Sequence, residues 1–193
     1  MIDESGDSPL EEANPWHVLS KQVRYSNSWI EVTHHEVITP SHTEGIYGVV
    51  HFRNIALGIL PIDDEGNTWL VGQYRFPLER YSWEIPEGGG DPDVEPVISA
   101  QCELREETGI EASDWRLILE LDLSNSVTDE HAYIYVATGL SYGDASPDDT
   151  EALKLHKLPF DDAYAMALDG RITDVMSVAA ILRYKLLRDE ERS

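Results

Sequence analysis

The sequence predicts an α+β fold, a mixed α/β sandwich in which a substantial sheet packs against helices. The first two thirds of the chain contain apolar and β-branched runs of strand length, each bounded by turn-forming residues. One central helix is predicted among these runs, and two helical stretches close the chain. At 193 residues, the chain is expected to form one domain, or one domain with a small appendage.

The predicted strands occupy residues 28–40, 45–52, 55–62, 68–76, 80–86, 116–123, 131–140 and 152–158. The stretch IDDEGNTW, which separates two of these strands, is interpreted as a hairpin turn. A glycine triplet, Gly88 to Gly90, and a loop follow the strand 80–86. The closing helices are predicted over residues 160–170 and 174–189.

The central helix is predicted from Pro96 to Thr108. Proline is favoured at the first position of a helix, and Gly109 suits the position just after the last turn. Three apolar residues repeat at helical spacing and predict a buried stripe: Val97, Ala100 and Leu104.

Three glutamates, Glu103, Glu106 and Glu107, crowd the last two turns of this helix. At 100° per residue, Glu103 and Glu107 lie about 40° apart, and Glu106 lies about 60° from Glu103. The three carboxylates therefore share one edge beside the apolar stripe, although like charges at this spacing repel by a few tenths of a kcal/mol per pair. Carboxylate oxygens suit Mg²⁺ or Mn²⁺, so this edge is a candidate metal site.

The net charge of -23 disfavours binding to nucleic acids and to anionic lipid surfaces. No apolar run is long enough to span a membrane. Residues 1–14 are acidic, lack the apolar core of a signal peptide and are expected to form a flexible tail. With Cys102 as its single cysteine, the chain forms no internal disulfide, and a cytoplasmic location is expected.

The segment GGGDPDVEPVISAQCELREETGI resembles the Nudix box, whose usual form is G-x5-E-x7-R-E-U-x-E-E-x-G-U with U apolar. The positions that match are Gly88, Glu103, Leu104, Glu106, Glu107, Gly109 and Ile110. Cys102 replaces the arginine of the motif, and Val94 replaces its first glutamate. We hypothesise that a small apolar contact, which also involves Ile98, takes the place of a polar tie; the alternative is a weakened site.

The segments that flank the box resemble the ADP-ribose pyrophosphatase branch of the Nudix family. They are WLVGQYRFPLERYSWEIPEGG before it, and SNSVTDEHAYIYVATGL and DDTEALKLHKLPFDDAYAMALDGRITDVMSVAAIL after it. The resemblance implies a Nudix fold with an N-terminal β extension. Residues 15–52 would form the extension and part of a homodimer interface, and residues 53–193 would form the catalytic domain.

The resemblance also implies hydrolysis of a nucleoside diphosphate derivative, with Mg²⁺ as cofactor and Mn²⁺ able to substitute. The implied metal ligands are Glu103, Glu107, Glu106 and the backbone carbonyl of Glu87. Glu106 also counts among the catalytic candidates. A base or water-orienting carboxylate is expected in the acidic loop, with Glu151 first and Asp149 second; the alternative is an ordinary solvated turn.

The candidate substrate-binding residues are Arg75, Glu84, Trp29, Tyr47, Trp83, Gly88 and Gly89. Arg75 suits bidentate contact with a phosphate, or else a surface ion pair. Glu84 suits hydrogen bonding to the substrate or orientation of the loop, and the glycines let a ligand approach the backbone closely. The aromatic residues suit stacking on a base, or else simple core packing.

ADP-ribose, cleaved to AMP and ribose 5-phosphate, is the substrate that the resemblance favours. Many ADP-ribose enzymes carry a proline about fifteen residues after the box, where this chain has Asn125, so other nucleoside diphosphate sugars stay open as substrates. A non-catalytic, nucleotide-binding or regulatory Nudix-fold module is the alternative function. The loss of the box arginine favours that alternative, and the three retained glutamates oppose it.

Overall fold

The computed structural model describes residues 13–145 and 153–191, and in these ranges it contains ten strands and three α-helices. The chain divides into two compact units, Met1–His51 and Phe52–Ser193. The strands are β1 (His17–Ser26), β2 (Ile30–Ile38), β3 (Glu44–Phe52), β4 (Ile55–Pro61), β5 (Asn67–Arg75), β6 (Arg80–Glu84), β7 (Glu87–Gly90), β8 (Ile110–Asp122), β9 (His131–Tyr142) and β10 (Lys154–Pro159). The helices are α1 (Pro96–Thr108), α2 (Phe160–Leu168) and α3 (Val175–Glu191), and Phe76–Leu78 forms a 3-10 turn.

The first unit is a three-stranded sheet in the order β1-β2-β3, with β1 antiparallel to β2. The strands expected at residues 28–40 and 45–52 are present as β2 and β3. The sequence analysis assigned no strand to β1, whose residues are almost all exposed. Val37 and Thr33 of β2 are buried, and Thr33 Oγ1 lies 3.0 Å from His51 Nε2.

The second unit contains two sheets, which confirms the predicted α+β class. One sheet has the order β7-β4-β9-β8, in which β4 and β9 are parallel and the other pairs are antiparallel. The other sheet has the order β10-β5-β6 and is antiparallel.

Strand β4 is buried on both faces, because helices cover both sides of its sheet. Leu57 and Ile59 join the apolar cluster that includes Ala100 and Leu104 of α1. The alternate residues, such as Leu60, join the cluster formed with α2 and α3. The period-2 alternation of a strand thus divides one apolar run between two cores.

The turn between β4 and β5 is present, but the expected hairpin is wrong, because the two strands belong to different sheets. The Asp63 carboxylate accepts a hydrogen bond from the backbone N–H of Asn67 at 2.8 Å and lies 2.8 Å from Lys157 Nζ. Burial alone would raise the pKa of Asp63, but its hydrogen bonds to Lys157 and Asn67 lower the pKa to about 2. Gly66, at φ +79°, provides the left-handed residue of the turn.

The helices lie where periodicity and capping signals predict them. Helix α1 has the predicted bounds, and α2 and α3 match the predicted ranges to within two residues at each end. Gly109 ends α1 at φ +71° and donates its N–H to the carbonyl of Arg105 at 2.8 Å. Among the described helices, none combines the length and apolar character that crossing a membrane requires.

Candidate functional site

Helix α1 places two of its three glutamates against the body of the protein. Its apolar stripe anchors it, since Ala100 and Leu104 are fully buried. Glu107 lies on the same side and is only 7% exposed, and Glu103 is half-buried. Glu106 is exposed, so the three glutamates that share an edge in sequence differ in their surroundings.

Gly88 in strand β7 lies directly beneath the Glu103 carboxylate. A Cβ atom at Gly88 would stand 2.0 Å from Cδ of Glu103 and 2.2 and 2.5 Å from its two oxygens. Only a residue without a side chain allows this approach. At the neighbouring Gly89, which is exposed, a Cβ would instead meet the side chain of Asn54 at 3.0 Å.

Glu107 is tied to the same strand. Its Oε2 accepts a hydrogen bond from the backbone N–H of Glu87 at 3.1 Å. The backbone of β7 therefore contacts carboxylates from two successive turns of α1. Glu87, the residue whose carbonyl the resemblance nominates as a ligand, thus lies next to both Gly88 and Glu107.

The residues at this point fit a divalent cation by their chemistry. The Glu103 and Glu107 carboxylates and a backbone carbonyl are hard oxygen donors, and Gly88 leaves room for the Glu103 carboxylate beside the strand. Within residues 13–145 and 153–191, no three His, Cys, Asp or Glu side chains are gathered tightly enough to hold a metal ion.

Arg75 is held by Glu84, across the β5–β6 pair. Its Nε lies 3.0 Å from each Glu84 oxygen, and its Nη2 lies 2.5 Å from Oε2. The same Nη2 lies 3.6 Å from Glu87. The Glu84 side chain is 3% exposed and that of Arg75 is 37% exposed, so the ion pair is partly buried and bridges towards Glu87.

The Glu87 carboxyl lies near two other acidic side chains, those of Asp174 and Glu84. Burial raises the pKa of the Glu87 carboxyl well above its usual range, and the charge of Asp174, a hydrogen bond to Asp174 and the charge of Glu84 raise it further. A hydrogen bond from Ser177 Oγ to Glu87 Oε1, at 3.0 Å, opposes this shift of the pKa. Asp174 and Ser177 were missed by sequence reasoning, since their only local signal is the pairing of a helix-capping aspartate with a serine three residues later.

The remaining predicted site residues belong to the first unit, pack in the core of the second unit or fall outside the described structure. Trp29 and Tyr47 belong to the first unit, where Trp29 is exposed and Tyr47 makes an edge-on contact with Trp16. Glu151 and Asp149 fall outside the described residues. Trp83 packs against the second unit's core and makes an edge-on contact with Tyr81.

The apolar contact proposed around the two box departures is not supported by the structure. Val94 is 37% exposed and Ile98 is 50% exposed, so neither forms a buried contact in place of the missing polar tie. Cys102 is half-buried. Of the two departures from the box, Val94 is therefore exposed and Cys102 is half-buried.

Comparisons with known proteins show the family to which the chain is similar. Residues 52–176 match the NUDIX domain family. The chain is 36% identical over 140 residues to an ADP-ribose pyrophosphatase of Mycobacterium tuberculosis, in an alignment that covers 69% of this chain and 65% of that protein. It is 28% identical over 165 residues to an ADP-ribose pyrophosphatase of Bacillus subtilis, covering 84% of this chain and 89% of that one.

A solved structure, described as an ADP compounds hydrolase, shares the fold. It superposes with a TM-score of 0.83 at 20% sequence identity and covers 94% of this chain and 98% of its own. This likeness confirms the predicted architecture. Nudix enzymes generally use divalent metal ions, which agrees with the oxygen donors beside Gly88. From the family match and the strand–loop–helix that carries the glutamates, we conclude that the chain belongs to the Nudix family.

Proposed function

We propose that this chain is a metal-dependent pyrophosphohydrolase that cleaves the diphosphate bond of a nucleoside diphosphate derivative, with ADP-ribose as the preferred substrate. The observation that carries the proposal is the contact of Glu103 and Glu107 with the backbone of β7, at Gly88 and Glu87. The two ADP-ribose pyrophosphatase relatives support the choice of ADP-ribose. The products would be AMP and ribose 5-phosphate.

Glu103, Glu107 and the carbonyl of Glu87 would hold the cation, with Glu106 as a further ligand or a catalytic group. We propose Mg²⁺, with Mn²⁺ able to substitute. When bound, the cation supplies positive charge that offsets the negative charge on the phosphoryl oxygens. The exposure of Glu106 leaves its carboxylate accessible to substrate and water.

The attacking water needs a group that orients it and takes its proton. We propose Glu151 for this role, with Asp149 as the second candidate. The water oxygen attacks one phosphorus of the diphosphate, and the bond to the bridging oxygen breaks, so that each half leaves with one phosphate.

Arg75 is proposed to contact a substrate phosphate. Its pair with Glu84 uses Nε and Nη2, and a guanidinium carries five N–H donors, so the pair does not exhaust its capacity. Glu84 then has the role of orienting the arginine. Gly88 and Gly89 are proposed to let the diphosphate approach the backbone.

A homodimer is proposed, with the first unit as part of its interface and with Trp29 and Tyr47 as stacking residues for the base. The sheet of this unit exposes large apolar side chains, which favours burial against a partner: Val18, Leu19, Val23 and Ile46. Light scattering after size-exclusion chromatography tests the proposal, and a monomeric mass at micromolar concentration would refute it.

We also propose a small-molecule substrate and a cytoplasmic location. The net charge of -23 repels phosphate backbones and anionic lipids, which supports a role without nucleic acid or membrane partners. The single cysteine supports a reducing compartment.

The experiment that tests the proposed function is a hydrolysis panel of ADP-ribose, UDP- and GDP-sugars and NADH, in which the products are identified by chromatography. We expect the highest kcat/KM for ADP-ribose, with AMP as a product. A higher kcat/KM for another nucleoside diphosphate sugar would correct the substrate. Binding without turnover on any compound would favour the non-catalytic module.

A further inference from the structure

The first turn of helix α3 contains a buried serine that contacts the turn leading into β7. Ser177 is fully buried. Its Oγ accepts a hydrogen bond from the backbone N–H of Ile85 at 2.9 Å and donates one to Glu87 Oε1 at 3.0 Å. Its own backbone N–H is bound by Asp174 Oδ2 at 2.7 Å, which fixes the first turn of the helix.

These two bonds connect both ends of the short turn 85–87. A hydroxyl donates and accepts at the same time, so one side chain satisfies a backbone N–H and a carboxylate oxygen. The next bond in the series runs from the backbone N–H of Glu87 to Glu107 Oε2 at 3.1 Å. Ser177 is therefore linked through Glu87 to a carboxylate that is proposed to bind metal.

Glu87 is held through both of its carboxylate oxygens and its backbone N–H. Ser177 contacts Oε1, Arg75 Nη2 lies 3.6 Å from Oε2, and Glu107 binds the backbone N–H. A residue held in this way has little freedom to rotate its backbone carbonyl, which is a proposed ligand. Ser177 is 90 residues from Glu87 in the chain, so α3 contributes to a site whose proposed metal ligands all lie on β7 and α1.

We infer that Ser177 is a positioning residue for the cation site. Its hydroxyl holds the 85–87 turn in place, so that the Glu87 carbonyl and the Glu107 carboxylate can bind the same cation. The inference rests on the proposed function for the identity of the metal ligands. It assigns a role to α3 that goes beyond packing. Outer partners that orient ligands typically change metal affinity by 10- to 100-fold when they are removed.

If Ser177 only stabilised the fold, the experiment would give a different result. Loss of its hydroxyl would lower the melting temperature and leave the metal affinity unchanged. The matched control is Ile181→Val, one turn further along α3. Ile181 is also fully buried, and the substitution removes a methylene group from the core without breaking a hydrogen bond.

The experiment measures Mn²⁺ binding to the full chain by electron paramagnetic resonance of the free ion, with thermal melting in parallel. The variants are Ser177→Ala, Ser177→Cys and Ile181→Val. Cysteine keeps the side-chain shape but is a weak hydrogen-bond donor. We expect Ser177→Ala and Ser177→Cys to weaken Mn²⁺ binding about 10-fold, and we expect Ile181→Val to lower the melting temperature with Mn²⁺ affinity within about 2-fold of wild type.

Three outcomes would overturn the inference. Mn²⁺ affinity in Ser177→Ala equal to that of Ile181→Val would do so, as would a wild-type chain that binds no Mn²⁺. Loss of folded structure in both Ser177 variants would assign the residue to folding alone. If the wild type binds Mn²⁺ tightly but hydrolyses no compound of the panel, the proposed function fails while the Mn²⁺ comparison still decides the role of Ser177.

Discussion

Gly88→Ala is the substitution whose effect the structure predicts most fully. The new Cβ would stand 2.0–2.5 Å from three atoms of the Glu103 carboxylate, which is far inside van der Waals contact. Gly88 has no left-handed backbone angle, and the obstructed atoms are the far end of a flexible side chain. The glutamate therefore moves aside, and the chain keeps its fold.

The displacement predicts a loss of activity without a matching loss of stability. A proposed ligand that is moved by about 1 Å or more costs on the order of 100-fold in rate, or about 2.7 kcal/mol of transition-state stabilisation. The free energy of unfolding is expected to change by less than about 1 kcal/mol, because alanine also lowers the entropy of the unfolded chain. The assays are ADP-ribose hydrolysis by phosphate-coupled detection and urea denaturation.

Gly143→Ala is the matched control, since it makes the same chemical change at a glycine to which no site role is assigned. Its Cβ would lie 3.6 Å from the Gly109 carbonyl oxygen, an ordinary van der Waals distance, and we expect its kcat/KM to exceed that of Gly88→Ala by at least about 10-fold. Equal activity in the two variants would refute the reasoning that Gly88 is a glycine because of Glu103. Unfolding of Gly88→Ala would refute it as well.

Three further predictions concern stability. Glu84→Gln removes the charge-assisted hydrogen bonds between Arg75 and a carboxylate that is 3% exposed. We therefore expect the free energy of unfolding, measured in urea, to fall by about 2 kcal/mol. A change below about 0.5 kcal/mol would contradict this. Asp63→Asn tests the lowered pKa of the Asp63 carboxyl. The ionised carboxylate contributes to the free energy of unfolding above its usual pKa of 3.8, and this contribution disappears as the pH falls towards 2. Because the lysine partner is 46% exposed and solvent screens the pair, we expect the variant to be less stable by only about 1 kcal/mol at pH 7, with the difference shrinking below about pH 4; a difference that does not depend on pH would disprove the assignment. Gly109→Ala places a Cβ at φ +71° and 2.5 Å from a backbone oxygen, so we expect a loss of at least about 2 kcal/mol in thermal denaturation. Gly66→Ala, at φ +79° with open space around it, should lose only about 1 kcal/mol, and equal losses would show that the close contact is unimportant.

The sequence predicts the elements whose signals are local. Helix α1 was correctly bounded because proline at its start, glycine at its end and an apolar stripe all agree. Strand β7 was missed, since three glycines have low strand propensity and their pairing with β4 is set by contacts far along the chain. The hairpin between β4 and β5 was wrong for a related reason: a turn signal specifies a change of direction but not which strands pair.

The same distinction applies to the site. Glu103 and Glu107 were identified because a motif of fixed spacing carries them on one helix. For Arg75, a surface ion pair was open as the alternative to phosphate binding, because a residue pattern does not distinguish a partner within the protein from a ligand. The sequence did not name Glu84 as the partner. Ser177 could not be predicted, because its hydrogen bonds reach residues about 90 positions away and depend on how α3 packs.

The central claim is that the α1 carboxylates hold a catalytic cation. The most direct test measures kcat/KM for ADP-ribose in the wild type with Mg²⁺, in the wild type with EDTA, and in Glu107→Gln with Mg²⁺. Glu111→Gln, an exposed glutamate just beyond the helix, is the control for loss of one negative charge. The account predicts that EDTA abolishes turnover, that Glu107→Gln lowers kcat/KM by about 100-fold or more, and that Glu111→Gln stays near wild type. Undiminished hydrolysis in EDTA, or in Glu107→Gln with Mg²⁺, would contradict it.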